Sequence, residues 1–222
     1  MLDLVKAVPR YARDTFMPRK IFSCLLSATI PALVFFTISF YILRVQGFDT
    51  MQILRDPAQQ SGASSFLGFL SNIGIWIWVS AAAISCYGAL TLETPRVFRH
   101  RELLILLASF STILAIDDFF MIHDRYVNQL LCYALYVIVA GLLFLRHHES
   151  IVRIQGFAFM LGIGFLGASI ANDTFQGHLQ YYLTVDYDVT QIFEEGFKFL
   201  GAATWLYFAY AAASFKGPAT AE

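Results

Sequence analysis

"LLILLASFSTILAIDDFFMIHDRY", residues 103–126, decides the fold. From Leu103 to Ile116 it carries no charged residue, and then Asp117 and Asp118 arrive side by side, with His123 and Asp124 close behind. A helix on the surface of a soluble domain would show a polar face along the whole run. This one offers only serine and threonine there, so it reads as a bilayer-crossing segment, for which about 20 mainly apolar residues are needed. The titratable groups then sit at one end of a span, where each needs a reason.

The rest of the chain has the same character. Of 222 residues, 58% are hydrophobic and 14% charged, against about 25% charged in soluble domains. One soluble core of this size cannot hide that excess, so the surrounding solvent is lipid. The expected fold is all-α, a polytopic membrane helix bundle. It has six spans, at about 21–44, 65–92, 102–124, 129–146, 152–177 and 189–214. Residues 1–20 form a cytoplasmic or interfacial N-terminal segment, 21–214 the transmembrane domain and 215–222 a cytoplasmic tail. The opening twenty residues carry acids and no early apolar core, so a cleaved signal peptide is not expected. Leu4, Val8, Tyr11 and Phe16 lie there among basic residues, which suits a short amphipathic segment on the inner surface. No internal repeat is visible. Net charge is −1, so nucleic acid is not an expected partner. Cys24, Cys86 and Cys132 are isolated in apolar stretches and read as small hydrophobes, not as a disulfide or zinc framework.

Lysine and arginine set the expected orientation. Eleven of them fall on one side: Lys6, Arg10, Arg13, Arg19, Lys20, Arg96, Arg99, Arg101, Arg146, Arg153 and Lys216. The other side holds three, Arg44, Arg55 and Arg125. The positive-inside rule puts both termini in the cytoplasm. A multi-pass protein of a bacterial cell (inner) membrane is the expected setting. The loop "QGFDTMQILRDPAQQSGASSF", residues 46–66, then lies outside and contains a helical turn and a Ser/Gly stretch.

With that orientation, three spans deliver acids to one layer near the outer face. The third brings Asp117 and Asp118; the fifth, ending "SIANDTFQGH" (169–178), brings Ser169, Asn172 and Asp173; the sixth, entering by "DVTQIFEEGFKF" (188–199), brings Glu194, Glu195 and Lys198. A charge deep in a span costs about 2.5–3.5 kcal/mol on insertion scales, so such residues face a bundle interior or a water cavity. Five acids against Lys198 leave an excess of negative charge that protons, a cation or water must offset. In an uninterrupted helix Asp117 and Asp124 share a stripe, Asp118 points about 100° away, and His123 lies on another face. One of the two glutamates is expected to pair with Lys198, the other to face the aspartates.

Each residue also has a plainer reading. Glu194 and Glu195 in early turns interact well with a helix dipole, with Asp188 or Thr190 as cap. His123 and Asp124 beside Arg125 suit a membrane interface, and Asp117 and Asp118 could be held structurally by Asn172 or Lys198. "GIGFLG" (162–167) fits a dinucleotide fingerprint but lies inside a span, so its glycines serve close helix packing instead.

Three functions stay open. The first is a metal site of a membrane-embedded, hydrolase-like enzyme acting on a lipid-like substrate. Asp118, His123, Asp173 and Glu195 would be its ligands, with Asp117, Asp118, Glu195 and Lys198 as catalytic candidates. That donor set suits zinc, manganese or iron. The second is a proton- or cation-coupled transporter or channel, for which buried carboxylates with a lysine are usual equipment. The third is a non-catalytic subunit docked to other membrane proteins, which small size and short loops would fit.

Overall fold

In the computed structural model, residues 18, 22, 26, 29–54, 57–64, 66–92, 98–184 and 186–215 are described. The expected N-terminal segment (apart from Pro18), most of 21–29, Arg55, Arg96 and the tail from Lys216 lie outside them. Among the described residues every regular element is a helix. The chain divides at Leu67 into two compact units.

The first unit contains α1, Ile30–Val45, α2, Thr50–Leu54, and α3, Pro57–Ser61. Helix α1 begins with a proline in its first turn and ends where Gly47 adopts φ +95°. The Arg44 guanidinium closes that end by donating to the Phe48 carbonyl at 3.1 Å. Helix α2 opens on a reciprocal capping box. The Asp49 carboxylate accepts from Gln52 N–H at 2.9 Å, and the Gln52 side chain accepts from Asp49 N–H at 3.0 Å. The helical turn expected in this loop is therefore present, twice.

The second unit contains α4, Phe69–Thr91, α5, Phe98–Phe120, a single turn α6, Ile122–Arg125, then α7, Gln129–Leu183, and α8, Tyr187–Ser214. Among the described residues, three segments are long and apolar enough to cross a membrane: Phe69–Thr91, Arg99–Phe120 and Gln129–Tyr182. The last is a hairpin. Non-helical backbone at His147 and Gln155 breaks α7. Beyond the break the arms run back along each other, because the Phe144 and Phe159 rings stack at 5.9 Å and Tyr133 reaches Asp173. Forty residues of straight helix would separate that second pair by about 60 Å.

The core sits where α8 meets α4, α5 and the hairpin. Trp205 is fully buried at its centre and donates Nε1–H to the Ser111 hydroxyl at 2.9 Å. Its ring lies 5.6 Å from both Phe110 and Phe159. Ala202, Ala209 and Ala212 keep α8 narrow on its buried side. Two glycines permit close approach: a methyl on Gly88 would stand 2.8 Å from the Ala213 β-carbon, and one on Gly201 2.7 Å from the Leu166 side chain. Within "GIGFLG", a methyl on Gly162 would meet the Trp205 backbone at 3.5 Å, an ordinary contact, and one on Gly164 or Gly167 would meet nothing within 4 Å, so the close packing expected of these glycines does not require them here. The outside of the helices is apolar instead. Val137, Leu142, Leu145, Val152 and Phe157 are all more than 60% exposed, an inside-out pattern that suits lipid contact better than water.

One expectation fails here. The third span does not run as helix to 124, and the shared stripe of Asp117 and Asp124 does not exist. Helix α5 ends at Phe120 because Met121 turns left-handed at φ +52°. The cause is local competition for hydrogen bonds. The Asp117 carboxylate captures the His123 backbone N–H at 3.0 Å, which caps α6 and folds it back. His123 thereby returns to the face of Asp117.

Candidate functional site

The end of α5 and the turn after it build the centre of the site. Asp117 is 4% exposed. Its Oδ2 accepts from His123 Nδ1–H at 2.6 Å and its Oδ1 from the His123 backbone, and Tyr136 lines the same cavity beside it. Holding the proton on Nδ1 directs the lone pair of Nε2 away from Asp117. Nε2 lies 3.4 Å from the exposed carboxylate of Asp124. Asp118, one residue on, points toward α4 and α8. Its Oδ2 accepts from Trp78 Nε1–H at 3.1 Å, and its Oδ1 lies 4.0 Å from Lys198 Nζ. Lys198 donates to Glu195 Oε1 at 2.8 Å, so Glu195 is the glutamate that pairs with it. Asp117, Asp118 and His123 each offer a ligand atom, all within 4.8 Å of one another.

These groups head a cavity of about 320 Å³. Its polar end is formed by Asp117, Asp118, His123, Tyr133, Tyr136, Glu194 and Lys198. From there it runs between the hairpin and the core, past Val137, Ala140 and Ile163, to Phe110, Phe144 and Phe159. Tyr133 to Phe144 on one arm covers about 16 Å of helix. A second cavity, about 520 Å³, opens between α4 and α8 beside Glu195 and Phe199. Trp78, Asp118 and Lys198 line both, and so form the wall between them.

Not every expected residue joins the centre. Asp173 lines neither cavity; it accepts from the Tyr133 hydroxyl at 2.5 Å and from the Gln129 amide, tying the hairpin arms together. Ser169 and Asn172 donate to the backbone carbonyls of Glu194 and Thr190, at 2.9 and 2.7 Å, and fasten the second arm to α8. Asn172 therefore does not hold the aspartates. Glu195, 43% exposed at its side chain, turns to the second cavity, while Glu194 lines the first and accepts from Gln191 at 3.0 Å. Neither Asp188 nor Thr190 caps α8, whose N-cap is Asp186 without a side-chain bond.

Trp78, Tyr133 and Tyr136 also line the site and were not among the residues expected from the sequence. Their signal was available: Tyr133 and Tyr136 follow Gln129 in the first turns of the fourth span, at the depth of the aspartates, and a buried phenol or indole needs a partner.

Over residues 26–212 the chain matches the family described as "Domain of unknown function (DUF8692)", and it belongs to that family. Comparison with curated proteins and with solved structures finds no match.

Proposed function

We propose that this member of the DUF8692 family crosses a bacterial inner membrane six times, with both termini cytoplasmic, and binds a divalent metal at its outer end to hydrolyse a lipid-like substrate. The observation that carries the proposal is the convergence of Asp117, Asp118 and His123 within 4.8 Å at the polar head of an otherwise apolar cavity. The hairpin in α7, with α1 and α8, supports the span count, and the eleven-to-three split of basic residues supports the orientation.

The donor set fits zinc, manganese or iron. The carboxylate oxygens of Asp117 and Asp118 would hold the ion together with His123 Nδ1, which would exchange its present bond to Asp117 Oδ2 for the metal. A bound divalent ion would supply a water activated near neutral pH. This chain's own groups do the rest. Glu194 faces the same space and is placed to take the proton of that water. Lys198 is placed to steady an anionic oxygen of the substrate, held back by Glu195 until then. Trp78 fixes Asp118, and the passage toward Phe144 and Phe159 receives the hydrocarbon chain and keeps bulk water out.

The test is metal content of the purified protein beside its variants. One equivalent in the wild type, lost in Asp118→Asn and His123→Gln but kept in Asp173→Asn, is the expected pattern. Metal-free protein of unchanged stability would remove the proposal.

The wall that Trp78, Asp118 and Lys198 form between the two cavities favours a second reading, proton or cation coupling across that wall. Flux in proteoliposomes that Asp118→Asn abolishes would support it, and absence of flux under any imposed gradient would remove it.

A further inference from the structure

At the opposite end of this unit the hairpin break and the start of α5 enclose a separate cavity of about 700 Å³, lined by Arg99, Arg146, His147, His148, Glu149 and Ser150. It lies about 27 Å along α5 from Asp117. His147 is the unusual member. It is 2% exposed, and neither ring nitrogen has a hydrogen-bond partner among the described residues. Leaving a buried polar atom unpaired costs about 1–3 kcal/mol, and such a group in a native protein calls for an explanation. His100, close by and also buried, shows the ordinary solution: its Nε2 meets the Ala212 carbonyl at 3.0 Å. His147 has no such carbonyl, sits where the helix breaks, and faces a cavity.

The cations around it are available. Arg99 forms no salt bridge among the described residues. Arg146 engages Glu102 through Nε at 2.5 Å, which leaves its outer edge for a second acceptor. Glu149 is the one acid in the lining, against two arginines and two imidazoles. A planar guanidinium fork matches the oxygens of phosphate. Leu142 and Leu145 also line the cavity and are 61% and 70% exposed, so an acyl chain has a surface to follow. Basic pockets between spanning helices are known to take anionic lipid headgroups.

We propose that this cavity binds the phosphate group of an anionic membrane lipid, with Arg99 and Arg146 on the phosphate oxygens and His147 donating from its ring. Neither the metal nor the hydrolysis assigned to the other end is involved, so either proposal stands or falls alone.

Native mass spectrometry of the full chain in micelles tests it. The probes are phosphatidylglycerol, diacylglycerol with the same chains but no phosphate, and inorganic phosphate. One phosphatidylglycerol per chain is expected to be retained, and diacylglycerol not. Arg99→Gln, at an exposed side chain that cannot unfold the bundle, should weaken retention about tenfold, as should His147→Gln. His100→Gln should leave it unchanged. Displacement of the lipid by millimolar inorganic phosphate would show that free phosphate is the ligand and would overturn the lipid assignment. Equal retention of both lipids, or retention indifferent to Arg99→Gln and His147→Gln, would overturn the site.

Discussion

Replacing Asp117 by alanine should unfold the end of the second unit at which α5 meets α6. Asp117 is 4% exposed and accepts two hydrogen bonds, from the His123 ring and the His123 backbone. Hydrogen bonds between helices in a membrane average about 0.6 and reach about 1.7 kcal/mol, so two amount to about 1–3 kcal/mol. The loss of a buried charged partner argues for the upper half of that range. The change also removes the acceptor that terminates α5, so Met121 would no longer be held left-handed and α6 would fray. The matched control is Asp124→Ala, which removes a carboxylate 54% exposed and 3.4 Å from the same imidazole; exposed pairs are worth about 0–1 kcal/mol. Reversible unfolding in mixed micelles, titrated with denaturing detergent, measures both. A deficit below 1 kcal/mol for Asp117→Ala, or equal deficits for the two variants, would refute the reasoning.

Other outcomes follow from the packing. Ser111→Ala strands the Trp205 indole N–H in the core and should cost about 1–3 kcal/mol, read in the same unfolding assay. Gly201→Ala drives a methyl into Leu166, at 2.7 Å, and should cost about 1–3 kcal/mol. Gly164→Ala, where the added methyl meets nothing within 4 Å, should stay within about 0.5 kcal/mol of wild type. For topology, cysteines placed at Ser61 and His148 in a background lacking Cys24, Cys86 and Cys132 should respond oppositely to a membrane-impermeant maleimide. Ser61→Cys is expected to label in intact cells and His148→Cys only after lysis; the reverse would invert the orientation.

The apolar helices were legible because lipid imposes a simple rule: about 20 apolar residues to cross, and charges confined to ends. That rule found the arms of α7 separately, even though the break at His147 and Gln155 leaves no proline as a mark. The common level of Asp117, Asp118, Glu194 and Lys198 along the helices was legible too, since it follows from counting residues along each apolar run. Their direction was not. Glu194 and Glu195 differ by about 100° of helix rotation, and only the packing of α8 against the hairpin determines that Glu194 enters the first cavity. The return of His123 to Asp117 depended on a side chain competing with the backbone six residues on, which no helical wheel represents. Asp173 looked equivalent to Asp117 in depth, yet Tyr133 and Gln129 from the neighbouring arm claim it.

The central claim is that Asp117, Asp118 and His123 form one metal centre at the head of the cavity. Manganese titrated into the wild-type chain in nanodiscs, followed by electron paramagnetic resonance with ¹⁵N-labelled histidine, tests it most directly. One bound ion per chain is expected, with a nitrogen coupling that vanishes in His123→Gln and binding that is lost in Asp118→Asn. Manganese that remains free, or binds without any histidine nitrogen, would contradict it.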